Sequence, residues 1–133
     1  MVKISDIIFC SNAQNIDGVG VSANNILTVI NPEYVPGLFS FSVVVTTLDL
    51  DCSIPHELFI EFLDPTDESV IEINAPVPVV EDNSNLPNEY KGLNLAMDWN
   101  NVNFKRSGVY KIKIKIDGEL IGEKSIFVKG KNE

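Results

Sequence analysis

The sequence is short of the residues from which most catalytic and metal sites are built. Histidine occurs once in 133 residues, cysteine twice and tryptophan once. With His56 alone there is no second imidazole for a transition-metal site, and Cys10 and Cys52 lie too far apart for a zinc cluster or a disulfide scaffold. Both cysteines read as reduced thiols packed as small hydrophobes, a bridge between them staying open for an exported chain. No apolar stretch approaches the roughly 18–20 residues of a membrane span. Nor does the start read as a secretory leader, because the apolar run from Ile7 to Cys10 is short and follows Asp6. Asn-x-Ser/Thr acceptors are absent. The expectation is a cytoplasmic protein without membrane contact.

Basic residues are scarce too. The net charge is −9, and residues 1–90 hold one base, Lys3, against fourteen acids. Phosphate contacts need clustered Lys and Arg, so a nucleic-acid partner is excluded, as is an anionic membrane surface. Residues 91–133 reverse the balance, with nine bases against five acids. Three of those bases, Lys111, Lys113 and Lys115, alternate along one stretch, which suggests a solvated sheet face instead of a basic tail. At 44% hydrophobic and 22% charged, the chain has the make-up of one soluble domain with one core.

What the sequence does contain is period-2 patterning. Tyr110, Ile112, Ile114 and Ile116 alternate with the lysines, and Asp117-Gly118 supplies the φ > 0 that a tight hairpin turn requires. Leu120 to Val128 would be the returning strand. Earlier strands are expected at Ile4–Asn12, Ile26–Ile30, Leu38–Leu48, Glu57–Leu63, Ser69–Ala75 and Leu93–Trp99, with Val44 the one break in the alternation of Leu38–Leu48. Asp17-Gly18 and Gly20 read as a turn, and Pro32 to Gly37 as a loop because two prolines remove ladder donors. Asp64-Pro65 forms a turn that Asp64 caps with its side chain. Pro76-Val77-Pro78 belongs at an edge, and Leu86 to Tyr90 forms a single helical turn. About eight short strands and almost no helix indicate an all-β, immunoglobulin-like antiparallel sandwich over residues 1–128, with 129–133 a polar C-terminal tail.

Residues 38–48, 57–63, 93–99, 109–116 and 120–128 take the roles B, C, E, F and G of such a sandwich. Strand F then pairs with strand C, setting Glu57 and Glu61 beside the lysine row. Tyr110 falls where these folds place a tyrosine corner.

Several stretches carry a further likeness: Ile8-Phe9-Cys10, Leu63-Asp64-Pro65, Leu93 to Trp99, Ser107-Gly108-Val109-Tyr110 and Asp117 to Gly122. In these the whole chain resembles a family of small uncharacterised bacterial proteins with an immunoglobulin-like β-sandwich. Ser107 stands where its members usually carry proline. The resemblance implies the fold and no activity.

Motif matches are weak. Gly18-Val19-Gly20-Val21-Ser22-Ala23 fits a dinucleotide fingerprint by letter, but a strand-like segment follows where a helix must open. Gly20-Val21-Ser22-Ala23-Asn24 lacks the second glycine of a nucleophile elbow. Ser53 and Glu57 flank His56 only in sequence, and a loop-packing histidine is the plainer reading than a catalytic one. Acidic loops offer more. With strands alternating in direction, Asp49 and Asp51 share one end of the sandwich with Glu81 and Asp82, where a calcium site could assemble, while Asp64, Asp67 and Glu68 occupy the other end. Solvated turns on an acidic protein explain the same residues more simply. Trp99, Tyr34 and Tyr90 could form a sugar platform, although Trp99 runs in phase with Leu95 and Met97 and so belongs to the core.

No cofactor is implied and no catalytic group converges. The expectation is a non-enzymatic protein-interaction or structural module, with an unknown protein partner or self-association through Pro76–Asn88 and its neighbouring edge. The alternative is a ligand-binding module, for calcium through the acidic loops or for carbohydrate.

Overall fold

The structure is a computed structural model, described over residues 2–16, 20–79 and 85–133. Nine strands form among these residues: β1 (Lys3–Ile16), β2 (Gly20–Ile26), β3 (Val29–Ile30), β4 (Gly37–Leu48), β5 (His56–Leu63), β6 (Ser69–Val77), β7 (Asn94–Phe104), β8 (Gly108–Ile116) and β9 (Glu119–Val128). A single 3-10 turn, Asn88–Tyr90, is the expected helical turn.

The strands make two sheets, β2-β1-β4-β7 and β3-β9-β8-β5-β6. β4 pairs with β7 as B with E, and β5, β8 and β9 pair as C, F and G. The opening strand divides between the sheets, since β1 joins β4 while β3 runs parallel to β9. This is the immunoglobulin-like order, and the strand roles read from the sequence hold. The Tyr110 hydroxyl donates to the Arg106 carbonyl at 2.7 Å, which makes the tyrosine corner.

Alternation places the core. Inward residues of both sheets meet in one cluster whose centre is aromatic: Phe9, Phe41, Phe62, Trp99, Phe104 and Tyr110. The two-residue turn Asp117-Gly118, with φ of 52° and 84°, closes the β8–β9 hairpin as its dipeptide requires.

On the outer face Glu61 stands opposite Lys113, so strand C does meet the lysine row. Glu57 does not. The row ends at Lys115, opposite Phe59, and two residues further on the turn residue Asp117 donates its backbone N–H to the Glu57 carbonyl. Like charges also occur on this face, since Glu61 has Glu72 on its other side.

Three boundaries differ from the expectation. First, β2 begins at Gly20, inside the stretch read as a turn, and the expected strand Ile26–Ile30 is split between β2 and β3. Its polar sequence, with Ser22, Asn24 and Asn25, lacks apolar alternation because it pairs with the part of β1 beyond Cys10, away from β4. The Asp17-Gly18 turn lies outside the described residues. Second, the β1–β2 arm folds over β4 and comes close to β7, which accounts for Val44. Val44, Ser42 and Cys10 are all buried on the outer face of this sheet, under the arm. Third, β7 continues past Trp99 to Phe104. A bulge opposite Ser40, with Asn101 at φ 54°, shifts the phase so that Val102 and Phe104 turn inward.

Residues 129–133 are polar, and they are held in place. Lys129 and Lys131 donate backbone N–H groups to Ile30 and Pro32, Asn132 Oδ1 accepts from Val35 N at 3.1 Å, and Lys131 pairs with Glu33 at 2.9 Å.

Candidate binding cleft

The outermost strands β6 and β7 belong to different sheets and leave an open side to the sandwich. There a cleft of about 480 Å3 forms between residues 68–71 at the start of β6 and residues 98–103 and 105 at the end of β7, with Asp64 and Tyr110 completing it. Its apolar wall is Val70, Ile71, Trp99 and Val102. The volume lies in the range of about 300–1,000 Å3 that ligand pockets occupy.

Trp99 decides the character of this cleft. Alternation along β7 sends it inward, where its ring packs at 5.4 Å from Phe41 and 5.5 Å from Phe62, and only 6% of the residue stays exposed. Its Nε1 is buried with no hydrogen-bond partner among the described residues. A buried donor without an acceptor costs about 1–3 kcal/mol. The core role expected for Trp99 therefore holds, and the sugar platform does not assemble: the ring face is covered, and neither Tyr34 nor Tyr90 lines the cleft.

The polar rim is unevenly committed. Asp64 caps its turn as expected, with Oδ1 accepting from Thr66 N, Thr66 Oγ1 and Glu68 N at 2.7–3.0 Å. The Thr66 hydroxyl bond is the chief reason its carboxyl is held below the usual range, and Arg106, 3.8 Å from Oδ2, acts in the same direction. Asp98 accepts from Ser42 Oγ at 2.5 Å. Asn100, Asn101 and Asn103 line the β7 side, and the bulge at Asn101 turns this stretch of an edge strand away from regular pairing.

The other sites expected from sequence are placed as follows. Asp49 and Asp51 lie between β4 and β5, and Leu50 N donates to the Lys91 carbonyl, just before β7. The Asp51 carboxylate is engaged by the backbone N–H and hydroxyl of Ser53, which lower its pKa. Glu81 and Asp82 lie outside the described residues. Among the described residues, no three acidic, histidine or cysteine side chains are grouped to hold a metal ion. Cys10 is fully buried, and desolvation pushes its thiol pKa up. The Cys52 Sγ sits 3.8 Å from the Leu50 carbonyl, and no disulfide joins it to Cys10. Beyond Gly20 the glycine motif continues as strand β2, with no helix to receive a phosphate.

His56 packs as a clamp. Nδ1 lies 2.6 Å from Asp117 Oδ2 and Nε2 lies 2.7 Å from the Asp51 carbonyl. Both partners accept, so both ring nitrogens must donate and the imidazolium is the form that fits. The Asp117 hydrogen bond is the main cause that raises the His56 pKa above its ordinary 6.5, and the same bond lowers that of Asp117. A raised folded-state pKa contributes stability that is complete below about 6.5 and is lost as pH climbs through the folded value. The Asp117 contribution is present above about 3.8 and is lost on acidification below it. The melting temperature is therefore expected to fall as the pH rises above about 6.5. His56→Ala should remove that fall in a pH series of thermal melts; an unchanged slope in the variant would assign it to other groups.

A family model matches residues 5–129. The chain belongs to DUF6941, a family of unknown function. No curated protein sequence matches it. Among solved structures, an immunoglobulin-like protein from Pseudomonas aeruginosa is similar over 97% of both chains, at 13% identity and a TM-score of 0.45. An alkylpurine DNA glycosylase from Pseudomonas fluorescens, bound to DNA containing an abasic site analog, is similar over 96% of this chain at 10% identity and a TM-score of 0.45. This chain covers 30% of the length of that glycosylase. The DUF6941 assignment agrees with the bacterial family expected from the quoted motifs.

The cleft itself was not foreseen in the sequence. Its signal was Asn100-Asn101, where polar residues interrupt the alternation directly after the only tryptophan. No helix among the described residues is long and apolar enough to cross a membrane.

Proposed function

We propose that this member of DUF6941 is a non-catalytic protein-interaction module that seats an extended segment of a partner in the β6–β7 cleft. One observation carries the reading: an apolar-walled cleft lies between β6 and β7, two strand edges that no other strand among the described residues covers. Open edges bind extended chains by completing their backbone hydrogen bonds, and apolar wall residues then select side chains. The neighbouring amides of Asn100, Asn101 and Asn103 offer donors and acceptors that match peptide groups. A non-catalytic role is supported by His56, whose two nitrogens are both engaged and which does not line the cleft.

The test is affinity capture from the source organism with the intact protein and with Val70→Arg, which fills the cleft from its β6 wall. The expected result is a set of proteins retained by the first and lost from the second. Equal recovery on both would remove the cleft from the interaction.

Self-association is a second reading with its own observation. Val29, Phe127 and Val109 are cross-strand neighbours on β3, β9 and β8 and are all exposed, Phe127 by 62%. Light scattering at high concentration distinguishes it. A dimer that Phe127→Glu abolishes supports this surface, and a monomer throughout dismisses it.

A further inference from the structure

We propose that His56 is a proton-operated latch on the loop between β4 and β5: loss of one proton from the ring releases residues 51–55 and leaves the β8–β9 turn clasped. His56 opens β5, whereas Asp64, past the other end of that strand, belongs to the cleft. The latch therefore stands or falls independently of the interaction reading. Three segments meet at the ring. Nε2 holds the Asp51 carbonyl of the loop at 2.7 Å, and Nδ1 holds the Asp117 carboxylate of the turn at 2.6 Å. Asp117 is also fixed without the ring, since its Oδ1 accepts from Glu57 N and its own N–H donates to the Glu57 carbonyl, both at 2.9 Å. The charged groups that act on His56 are Asp117 from the turn and Asp51 from the loop. Lys91, from the β6–β7 connection, acts on Asp51, and Glu57 is engaged through its backbone.

The two partners of the ring respond differently to the proton. A neutral imidazole keeps one N–H, and the bond made by the better acceptor decides which nitrogen carries it. A hydrogen bond to an ionised carboxylate is roughly twice as strong as one to a neutral carbonyl, so the remaining proton stays on Nδ1. Nε2 then turns a lone pair toward the Asp51 oxygen, and two acceptors 2.7 Å apart repel. The loop is built to yield. Asp51, Ser53, Ile54 and Pro55 are exposed, and the bonds from Ser53 to the Asp51 carboxylate lie within the moving segment. Cys52, half-buried against the core, loosens with it. Movement stops at Leu50, which is buried and donates to the Lys91 carbonyl. The closed form is thus the acidic one, and the loop opens as pH rises through a His56 value that the Asp117 bond holds above 6.5.

The single histidine makes the test direct, because the ring nitrogen signals of the 15N-labelled protein belong to one residue. Across an NMR titration from about pH 5.5 to about 9, the neutral ring is expected to carry its proton on Nδ1. The heteronuclear NOE of the Cys52, Ser53 and Ile54 amides should fall with the same midpoint, while those of Leu50 and Gly118 hold. Asp117→Asn gives a reading that a packing role would not. Its Oδ1 still accepts from Glu57 N, its Nδ2 donates to the ring Nδ1, and the neutral ring then keeps its proton on Nε2 for the Asp51 carbonyl. Asparagine also suits the turn, where residue 117 has a φ of 52°. This variant should keep the loop closed to the top of the titration. The latch is overturned if the neutral ring of the unaltered protein is protonated on Nε2, or if the loop amides ignore the His56 midpoint. An Asp117→Asn protein whose loop opens at the unaltered midpoint would overturn it as well.

Discussion

Phe62→Ala is expected to lower the folding free energy by about 3–5 kcal/mol, the range for removing a fully buried phenylalanine ring. Phe62 stands near the end of strand β5 and has no exposed surface. Its ring lies 5.5 Å from both Trp99 and Tyr110, 5.9 Å from Phe41 and 6.3 Å from Phe9 and Phe104. These partners come from β1, β4, β7 and β8, so this one side chain bridges both sheets. The cavity left by alanine cannot collapse easily, because the neighbours are rigid rings fixed on paired strands. Against a total stability of about 5–15 kcal/mol, the loss puts the variant near the limit of folding. Urea denaturation gives the number. A loss under about 1 kcal/mol would mean that the aromatic cluster repacks and that the two sheets do not depend on it. Phe127→Ala, on the exposed outer face, is the matching control and should change stability by about 0.5 kcal/mol or less.

The same cluster explains what the sequence made legible. Where one face of a strand is buried and the other solvated, alternation is imposed by the pleat, and β8, β5 and the first part of β7 could be read from it. Turn chemistry added the hairpin at Asp117-Gly118 and the capped turn at Asp64, since both rest on local backbone requirements. Legibility failed where a strand had no simple inside. β2 pairs with the overhanging half of β1, so its residues answer to a small polar surface instead of a core. Val44 looked anomalous because the element that covers it, the β1–β2 arm, is positioned by tertiary contacts. Past Trp99 the bulge exchanged the two faces of β7, and alternation counted across it gives the wrong phase. The cleft depends on that same bulge and on the spacing between two sheets, neither of which is a property of neighbouring residues. His56 was legible as a packing residue but not as a clamp, because Asp117 lies 61 positions away.

Gly92→Ala should destabilise the fold by about 3 kcal/mol, at the upper end for forcing atoms into a packed position. Gly92 is surface-exposed, so its environment alone suggests tolerance. The direction of its missing side chain argues otherwise. A Cβ there would lie 1.8 Å from the Thr47 carbonyl oxygen and 2.6 Å from its carbon. Those are backbone atoms of the central strand β4, and no rotamer change can move them aside. The overlap falls on a clasp that holds the long β6–β7 connection to the sandwich. Thr47 N donates to the Leu93 carbonyl at 2.9 Å, Leu93 N donates to Thr47 Oγ1 at 2.8 Å, and Leu50 N donates to the Lys91 carbonyl at 3.1 Å. Relieving the clash requires residues 91–93 to lift from β4, which breaks these bonds together. Hydrogen exchange should then show the Thr47, Leu50 and Leu93 amides losing protection as a group, while amides in the β8–β9 hairpin, on the other sheet, keep theirs relative to global unfolding. If alanine is accepted with a change below about 0.5 kcal/mol and unaltered exchange, the connection is not clasped at Gly92 and its approach to β4 is looser than the hydrogen bonds require.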